Sequence, residues 1–104
     1  MKSITISDIR RAITYVNMSG EHVDILRDVT DEQLLAKDFV KDWNMGNIRI
    51  ADVLIELERI HNIRIPMDIF RMTSDNTVGA LLTALNQYIK NFLRPDEVFK
   101  VNPN

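Results

Sequence analysis

The apolar residues that follow Gly46 recur at the three- and four-residue spacing of a helix that buries one face. The predicted core stripe comprises Ile50, Val53, Leu54, Leu57 and Ile60. A second apolar line lies beside it and makes the apolar arc wider than one core requires: Ile48, Ala51 and Ile55. We predict a helix from Asn47, as its N-cap, to about Ile60, and we expect part of the arc to contact a partner.

Two further stretches carry a helical apolar pattern, one on each side of this central helix. The first is predicted to begin at an N-cap, Ser7, and to end at Gly20, with the stripe Ile9, Ala12, Ile13 and Val16. The last is predicted to begin at a capping Thr77 and to end at Arg94 and Pro95, with the stripe Val78, Leu81, Leu82, Leu85, Ile89 and Phe92.

The connections hold two shorter helical signals. Residues 21–29 predict a long first loop, and Thr30 and Gln33 then have the spacing of a capping box, so a brief helical turn is expected there. Another short helix is expected in 67–76, after an extended segment that Pro66 ends. Strand signals are weak, so we predict an all-α, four-helix bundle with a long first loop and a short third helix.

The length of 104 residues predicts one domain spanning 1–104, with a core of about 7–92. Residues 93–104 form a predicted C-terminal tail in which Val98, Phe99 and Val101 are candidates to dock. No apolar run reaches the roughly 20 residues of a membrane span and no secretory signal is evident, so a cytoplasmic location is expected. Scattered basic residues and a net charge of −2 argue against nucleic-acid binding.

The chain has no cysteine and two histidines. This composition removes thiol nucleophiles, disulfides and thiolate zinc sites, and it leaves too few ligands for a histidine-rich metal site. No nucleophile, base and orienting group converge in one motif. We therefore expect neither an enzyme nor a metal protein.

The residues around the central helix resemble the acyl carrier protein family. The segment "DFVKDWNMGNIRIADVLIELERIHNIRIP" is similar to the family's F-x-x-D-L-G-x-D-S-L followed by a helix ending L-E-x-x-F-x-I-x-I-P, with these residues in register: Phe39, Asp42, Leu57, Glu58, Ile63, Ile65 and Pro66. Downstream, "NTVGALLTALNQYI" resembles the family's T-V and Y-I motif positions, which fall at Thr77, Val78, Tyr88 and Ile89. The likeness covers roughly Ser7 to Asn91.

In this register the family's attachment serine is replaced by Asn47. Members carry 4′-phosphopantetheine on that serine through a phosphodiester. A carboxamide nitrogen cannot replace the hydroxyl, because its lone pair is delocalised into the carbonyl. No serine lies between Ser19 and Ser74, so the resemblance implies no cofactor and an unmodified Asn47, unless the attachment differs from this register.

Other departures concern the partner surface that the resemblance implies. Gly46 stands where the family has aspartate, Asn44 where it has glycine, and Arg49 where it has an acidic residue of the central helix. The reduced negative charge would weaken the long-range attraction of basic partners. We expect a monomer that binds a protein through the central helix, with the predicted partner-binding residues Ile48, Ala51, Asp52, Ile55 and Glu56.

Several residues admit a structural and a functional interpretation. Asp52 and Glu56 have the spacing of a catalytic or metal-binding pair, but nearby arginines favour a solvated salt-bridge face. Trp43 is interpreted as a loop anchor rather than a stacking platform, and His61 as a partly exposed residue without a role. The methionines are interpreted as filling gaps in the core rather than lining an acyl-chain cavity; they include Met45, Met67 and Met72.

Our leading hypothesis is a divergent acyl-carrier-like domain that acts as a non-catalytic interaction module near fatty-acid or polyketide-type enzymes. The second hypothesis is a genuine acyl or aminoacyl carrier, bearing 4′-phosphopantetheine, in lipid or secondary-metabolite biosynthesis. The third is an unrelated helical protein with a small enzymatic or lipid-binding role.

Overall fold

The computed structural model describes residues 3–20, 25–69, 73 and 75–92. Within these residues the chain forms four helices: α1 (Ile6–Gly20), α2 (Asp31–Ala36), α3 (Asn47–His61) and α4 (Val78–Phe92). The described part contains no strand beyond a single bridge between Asp38 and Thr77. The predicted small all-α four-helix architecture is confirmed.

The short helix in this set is α2, which forms where the capping box was predicted. The Thr30 hydroxyl accepts a hydrogen bond from the Gln33 amide at 3.2 Å, and the Thr30 amide donates to the Gln33 side chain at 3.0 Å. Residues 70–72 and 74 of the short helix predicted in 67–76 lie outside the described residues, and 73, 75 and 76 are not helical. Residues 67–69 form one tight turn, in which the Ile69 amide donates to the Pro66 carbonyl at 3.1 Å.

The N-cap of α1 is Thr5, so the prediction of Ser7 is wrong. The Thr5 hydroxyl accepts from the Asp8 amide at 3.2 Å, and the Asp8 carboxylate accepts from the Thr5 amide at 3.0 Å. Thr5 and Ser7 both have a hydroxyl that could cap the helix, and they differ in the side chain three positions later. Thr5 has Asp8 there, which completes the reciprocal pair, whereas Ser7 has Arg10, which has no acceptor for the amide.

Helix α3 begins at Asn47, as predicted, but its N-cap is Gly46, whose backbone is extended at φ −84° and ψ 176°. Asn47 is therefore the first helical residue, and the prediction that it caps the helix is wrong by one position. The consequence is that its side chain lies exposed on the outside of the first turn.

The other end of α3 is fixed by Glu58. The carbonyl of Glu58 accepts from the amides of Asn62, which is left-handed at φ 53°, and of Ile63 at 3.2 Å. The Glu58 carboxylate accepts from the Ile65 amide at 2.5 Å. One residue thus ends the helix and directs the extended segment that leads to Pro66.

The core is formed by the facing stripes of α1, α3 and α4. In α3, four of the five predicted stripe residues are buried and Ile60 is partly exposed. In α4, the Thr77 hydroxyl accepts from the Ala80 amide at 3.1 Å, which confirms the predicted cap. The N-terminal segment is held by Asn86, whose amide group makes two bonds to the backbone of Ile4, at 2.8 and 2.9 Å.

Candidate functional site

The outer side of α3 presents two large apolar side chains to solvent. Ile48 is 79% exposed and Ile55 is 52% exposed. They lie seven residues apart and therefore share one face of the helix. Ala51 lies between them, partly exposed, and Asp52 is exposed beside it. Four of the five predicted partner-binding residues thus form one surface, the exposed α3 face, defined by Ile48, Ala51, Asp52 and Ile55.

Glu56, the fifth predicted residue, is only 6% exposed and is not part of this face. Its carboxylate accepts two hydrogen bonds from Arg59, from Nε at 3.0 Å and from a terminal nitrogen at 2.5 Å. The Arg59 hydrogen bonds lower the pKa of Glu56, against the opposing effect of burial. A partner would therefore meet the exposed guanidinium of Arg59 at this point rather than the carboxylate.

The loop before α3 sets the position of Asn47. The Asp38 carboxylate accepts from the amides of Val40 and Lys41 at 2.8 Å each, and the Asp42 carboxylate accepts from the Asp38 amide at 2.7 Å. Asn44 follows in the left-handed region at φ 51°. Asparagine and glycine adopt this region more readily than other residues, so the backbone accounts for the residue type found there.

Phe39 and Trp43 hold this loop on the core. Phe39 is fully buried, and the two rings meet edge to face with centroids 5.5 Å apart. The Phe39 amide also donates to the Asn76 carbonyl at 2.9 Å, which joins the loop to the start of α4. The interpretation of Trp43 as a loop anchor is confirmed. The start of α3 is consequently held by contacts that do not involve Asn47.

His61 is partly exposed at the end of α3, as predicted, and it makes a structural contact that the sequence did not predict. Its side chain is 13% exposed, and Nε2 lies 2.8 Å from the carboxylate of Asp8, which is 16% exposed. This contact joins the end of α3 to the start of α1. Burial raises the pKa of Asp8, but the hydrogen bonds from the Thr5 backbone and from His61 outweigh it, so the net pKa is lowered.

We expect Asp8→Ala to destabilise the fold by about 1–2 kcal/mol at neutral pH, because it removes both the cap of α1 and the partner of His61. A lowered folded-state pKa means that this contribution is complete above the ordinary aspartate pKa and declines as the pH falls through the folded-state value. Urea unfolding at pH 7 and pH 3 would measure it. The gap between wild type and variant should narrow at pH 3, whereas a matched change at an exposed carboxylate, Asp52→Ala, should show little gap at either pH. A gap that widens at pH 3 would contradict the assignment.

The remaining predicted site features divide between core and surface. Met45 is buried and Met67 is exposed, and Met72 lies outside the described residues. The described side chains contain no cluster of three or more histidine or carboxylate groups that could hold a metal ion. At the start of α3, the carboxamide of Asn47 and the aliphatic side chain of Ile48 are exposed to solvent.

The sequence pattern identifies Arg59 only as a neighbour of the acidic pair and does not predict its place beside the exposed α3 face. A signal was present, because Glu56 follows the buried Val53 by three residues and so falls at the edge of the core stripe. A carboxylate in that position needs a partner, and Arg59 lies one turn further on.

The chain matched no protein-family model, no curated protein and no solved structure. Among the described helices, none is long and apolar enough to cross a membrane.

Proposed function

We propose that this chain is a divergent acyl-carrier-like protein that takes no phosphopantetheine at Asn47 and works as a non-catalytic interaction module near fatty-acid or polyketide-type enzymes. The observation that carries the proposal is the exposed α3 face, which lies directly after a position that offers an amide instead of a hydroxyl. A cytoplasmic location and a monomeric state are part of the same proposal.

The backbone before α3 supports the resemblance independently of Asn47. The family pattern has glycine where this chain has Asn44, and the backbone there is left-handed, a conformation that glycine and asparagine tolerate best. The Glu58 and Ile65 of the family's helix-ending pattern are joined by a direct hydrogen bond. Asn44 and Glu58 therefore each have a structural reason for their residue type.

The size of the exposed α3 face supports a role in binding. Burying the two isoleucines would contribute on the order of 3 kcal/mol, because a fully buried isoleucine contributes roughly 1.5–3 kcal/mol and one of these is already half-buried. That amount is enough to anchor a partner and too little to hold one tightly, since association itself costs several kcal/mol. The exposed charges of Asp52 and Arg59 would add selectivity.

A genuine carrier is the second candidate function, and the order of the long helices favours it equally. It requires another hydroxyl to receive the phosphopantetheine. Between Ser19 and Ser74 the sequence has two hydroxyl residues, Thr30 and Thr73. The Thr30 oxygen caps α2, and Thr73 lies between α3 and α4, so neither is at the start of α3.

The test is the intact mass of the wild-type chain after co-expression with a broad-specificity phosphopantetheinyl transferase and incubation with coenzyme A. We expect an unchanged mass, while a serine-bearing acyl carrier protein in the same reaction gains phosphopantetheine. A gain of that group by the wild-type chain would overturn the proposal and establish the carrier alternative.

A further inference from the structure

Apolar and charged side chains alternate along the outer side of α3. Ile48, Asp52, Ile55 and Arg59 follow one another at intervals of four, three and four residues, the spacing that keeps side chains on one face of a helix. All four are exposed, and the two ionisable ones carry opposite charges. The exposed α3 face and the adjoining Arg59 therefore combine two isoleucines with one anion and one cation.

Both charged groups can accept a partner from outside the molecule. Asp52 makes no ion pair with any residue that the structure describes. Arg59 is paired with Glu56 through Nε and one terminal nitrogen, which leaves the N–H groups of its other terminal nitrogen for a second carboxylate. Its side chain remains 66% exposed in spite of that pairing. A surface that offers one carboxylate and one guanidinium would match both groups.

The face of a second copy of α3 offers this match. Asp52 lies three residues before Ile55 and Arg59 lies four residues after it, so the two charges are almost equally distant from Ile55. Two α3 helices packed antiparallel about Ile55 would place Asp52 of each copy opposite Arg59 of the other, because a two-fold interface is reciprocal. Parallel packing would place like charges opposite each other, which is unfavourable. The face is thus complementary to itself in the antiparallel orientation.

Tyr15 of α1 widens this surface on the side of Arg59. Its side chain is 61% exposed. Glu56 chiefly raises the pKa of Arg59 and Tyr15 adds to that effect, which places Tyr15 near the guanidinium. With Ile48 and Ile55 this gives three large exposed side chains, far fewer than the roughly 20–30 residues per side of a stable interface. We therefore expect a transient contact with a dissociation constant on the order of 1 mM.

We infer that a second copy of this chain pairs with the exposed α3 face, antiparallel and centred on Ile55, with two reciprocal ion pairs between Asp52 and Arg59. The chain remains monomeric at micromolar concentration, because the contact is weak. A different protein partner would compete with the second copy for the same side chains. The pairing does not depend on whether Asn47 receives phosphopantetheine, so its test and the intact-mass test can fail separately.

Disulfide trapping in the full chain tests the pairing, because the protein has no cysteine of its own. Ile55→Cys places the new sulfur at the centre of the pair, where the two copies approach most closely. Ile48→Cys is the matched control on the same face. In the antiparallel pair its two sulfurs would lie about 20 Å apart along the helix axes, beyond the reach of a disulfide. At a protein concentration near the expected dissociation constant, Ile55→Cys should form a linked dimer on the order of tenfold faster, although Ile48 is the more exposed of the two residues.

Charge reversal tests the ion pairs. Asp52→Arg, added to Ile55→Cys, puts like charges opposite each other and should slow the linking to the rate of the Ile48→Cys control. Asp52 is exposed, so this change is compatible with the fold. Glu32→Arg changes the net charge by the same amount at an exposed position of α2 and should leave the linking rate of Ile55→Cys unchanged.

Two results would overturn the pairing. Equal linking rates for Ile55→Cys and Ile48→Cys would show that copies meet without a fixed register, and the exposed α3 face would then be left to a different protein. Linking that Asp52→Arg slows no more than Glu32→Arg does would show that the charges of this face do not hold a second copy.

Discussion

Asn47→Ser is expected to convert this chain from one that gains no mass with a phosphopantetheinyl transferase to one that gains a phosphopantetheine group. The physical basis is a single functional group. Position 47 is exposed and begins a helix, and a serine there would supply the oxygen nucleophile that can form the phosphodiester. The change should not disturb the fold, because the loop is held by Phe39, Trp43 and its own backbone bonds.

The measurement is the intact mass of the variant under the same co-expression conditions as the wild type. Asn47→Ala is the matched control and should gain nothing, because it removes the amide without supplying a hydroxyl. Far-UV circular dichroism should show the same helix content in all three chains. Together these results would show that the residue at position 47 decides whether phosphopantetheine is attached and does not decide whether the chain folds.

Recognition by the transferase can fail even when the hydroxyl is present, and Gly46 provides a second variant for that case. The family pattern has aspartate there. A Cβ added at Gly46 would have no atom of another part of the chain within 4 Å, and the φ of −84° at this position suits any residue. Aspartate is also a good N-cap and should stabilise α3 by a few tenths of a kcal/mol relative to glycine. If Gly46→Asp combined with Asn47→Ser still gains nothing while a control carrier is loaded, the alignment of Asn47 with the attachment serine is wrong.

The sequence predicted the helices well because their signals are local. The capping box of α2, the Thr77 cap of α4 and the apolar stripe of α3 each depend on residues a few positions apart, and each is confirmed. The Ser7 and Asn47 caps were misplaced by one or two positions because neighbouring residues offered competing caps. At α1 the decisive side chain is Asp8, three residues after Thr5.

The candidate site was predicted less completely, because the missed contacts join residues far apart in sequence. His61 meets Asp8 across the α1–α3 packing, and Asn86 binds the backbone of Ile4 from α4. No periodicity or motif links either pair. The exposed α3 face was predictable, because the core stripe already supplies the buried side of the helix and the second apolar line beside it must therefore face outward. The position of Glu56 at the edge of the core stripe likewise indicated a buried carboxylate, and its interpretation as part of a solvated face was wrong.

Truncating a side chain of the loop should lower the stability of the fold, whereas truncating one of the exposed α3 face should leave it nearly unchanged. We expect Phe39→Ala to destabilise the protein by about 3–5 kcal/mol, because it removes a fully buried ring and leaves a cavity beside Trp43. That loss is a large fraction of the 5–15 kcal/mol that a domain of this size usually has. Ile48→Ala removes a side chain that is 79% exposed and should change stability by no more than about 0.5 kcal/mol.

Urea unfolding followed by far-UV circular dichroism would measure both variants. Trp43 fluorescence is unsuitable as the sole probe, because Phe39→Ala changes the surroundings of that indole directly. Losses of similar size in the two variants would show that Ile48 is held by the fold, and the exposed α3 face would then lose its role as a free contact surface. If Phe39→Ala instead costs less than about 1 kcal/mol, the ring is not what holds the loop, and the backbone bonds to Asn76 and within 38–45 must position the start of α3 without it.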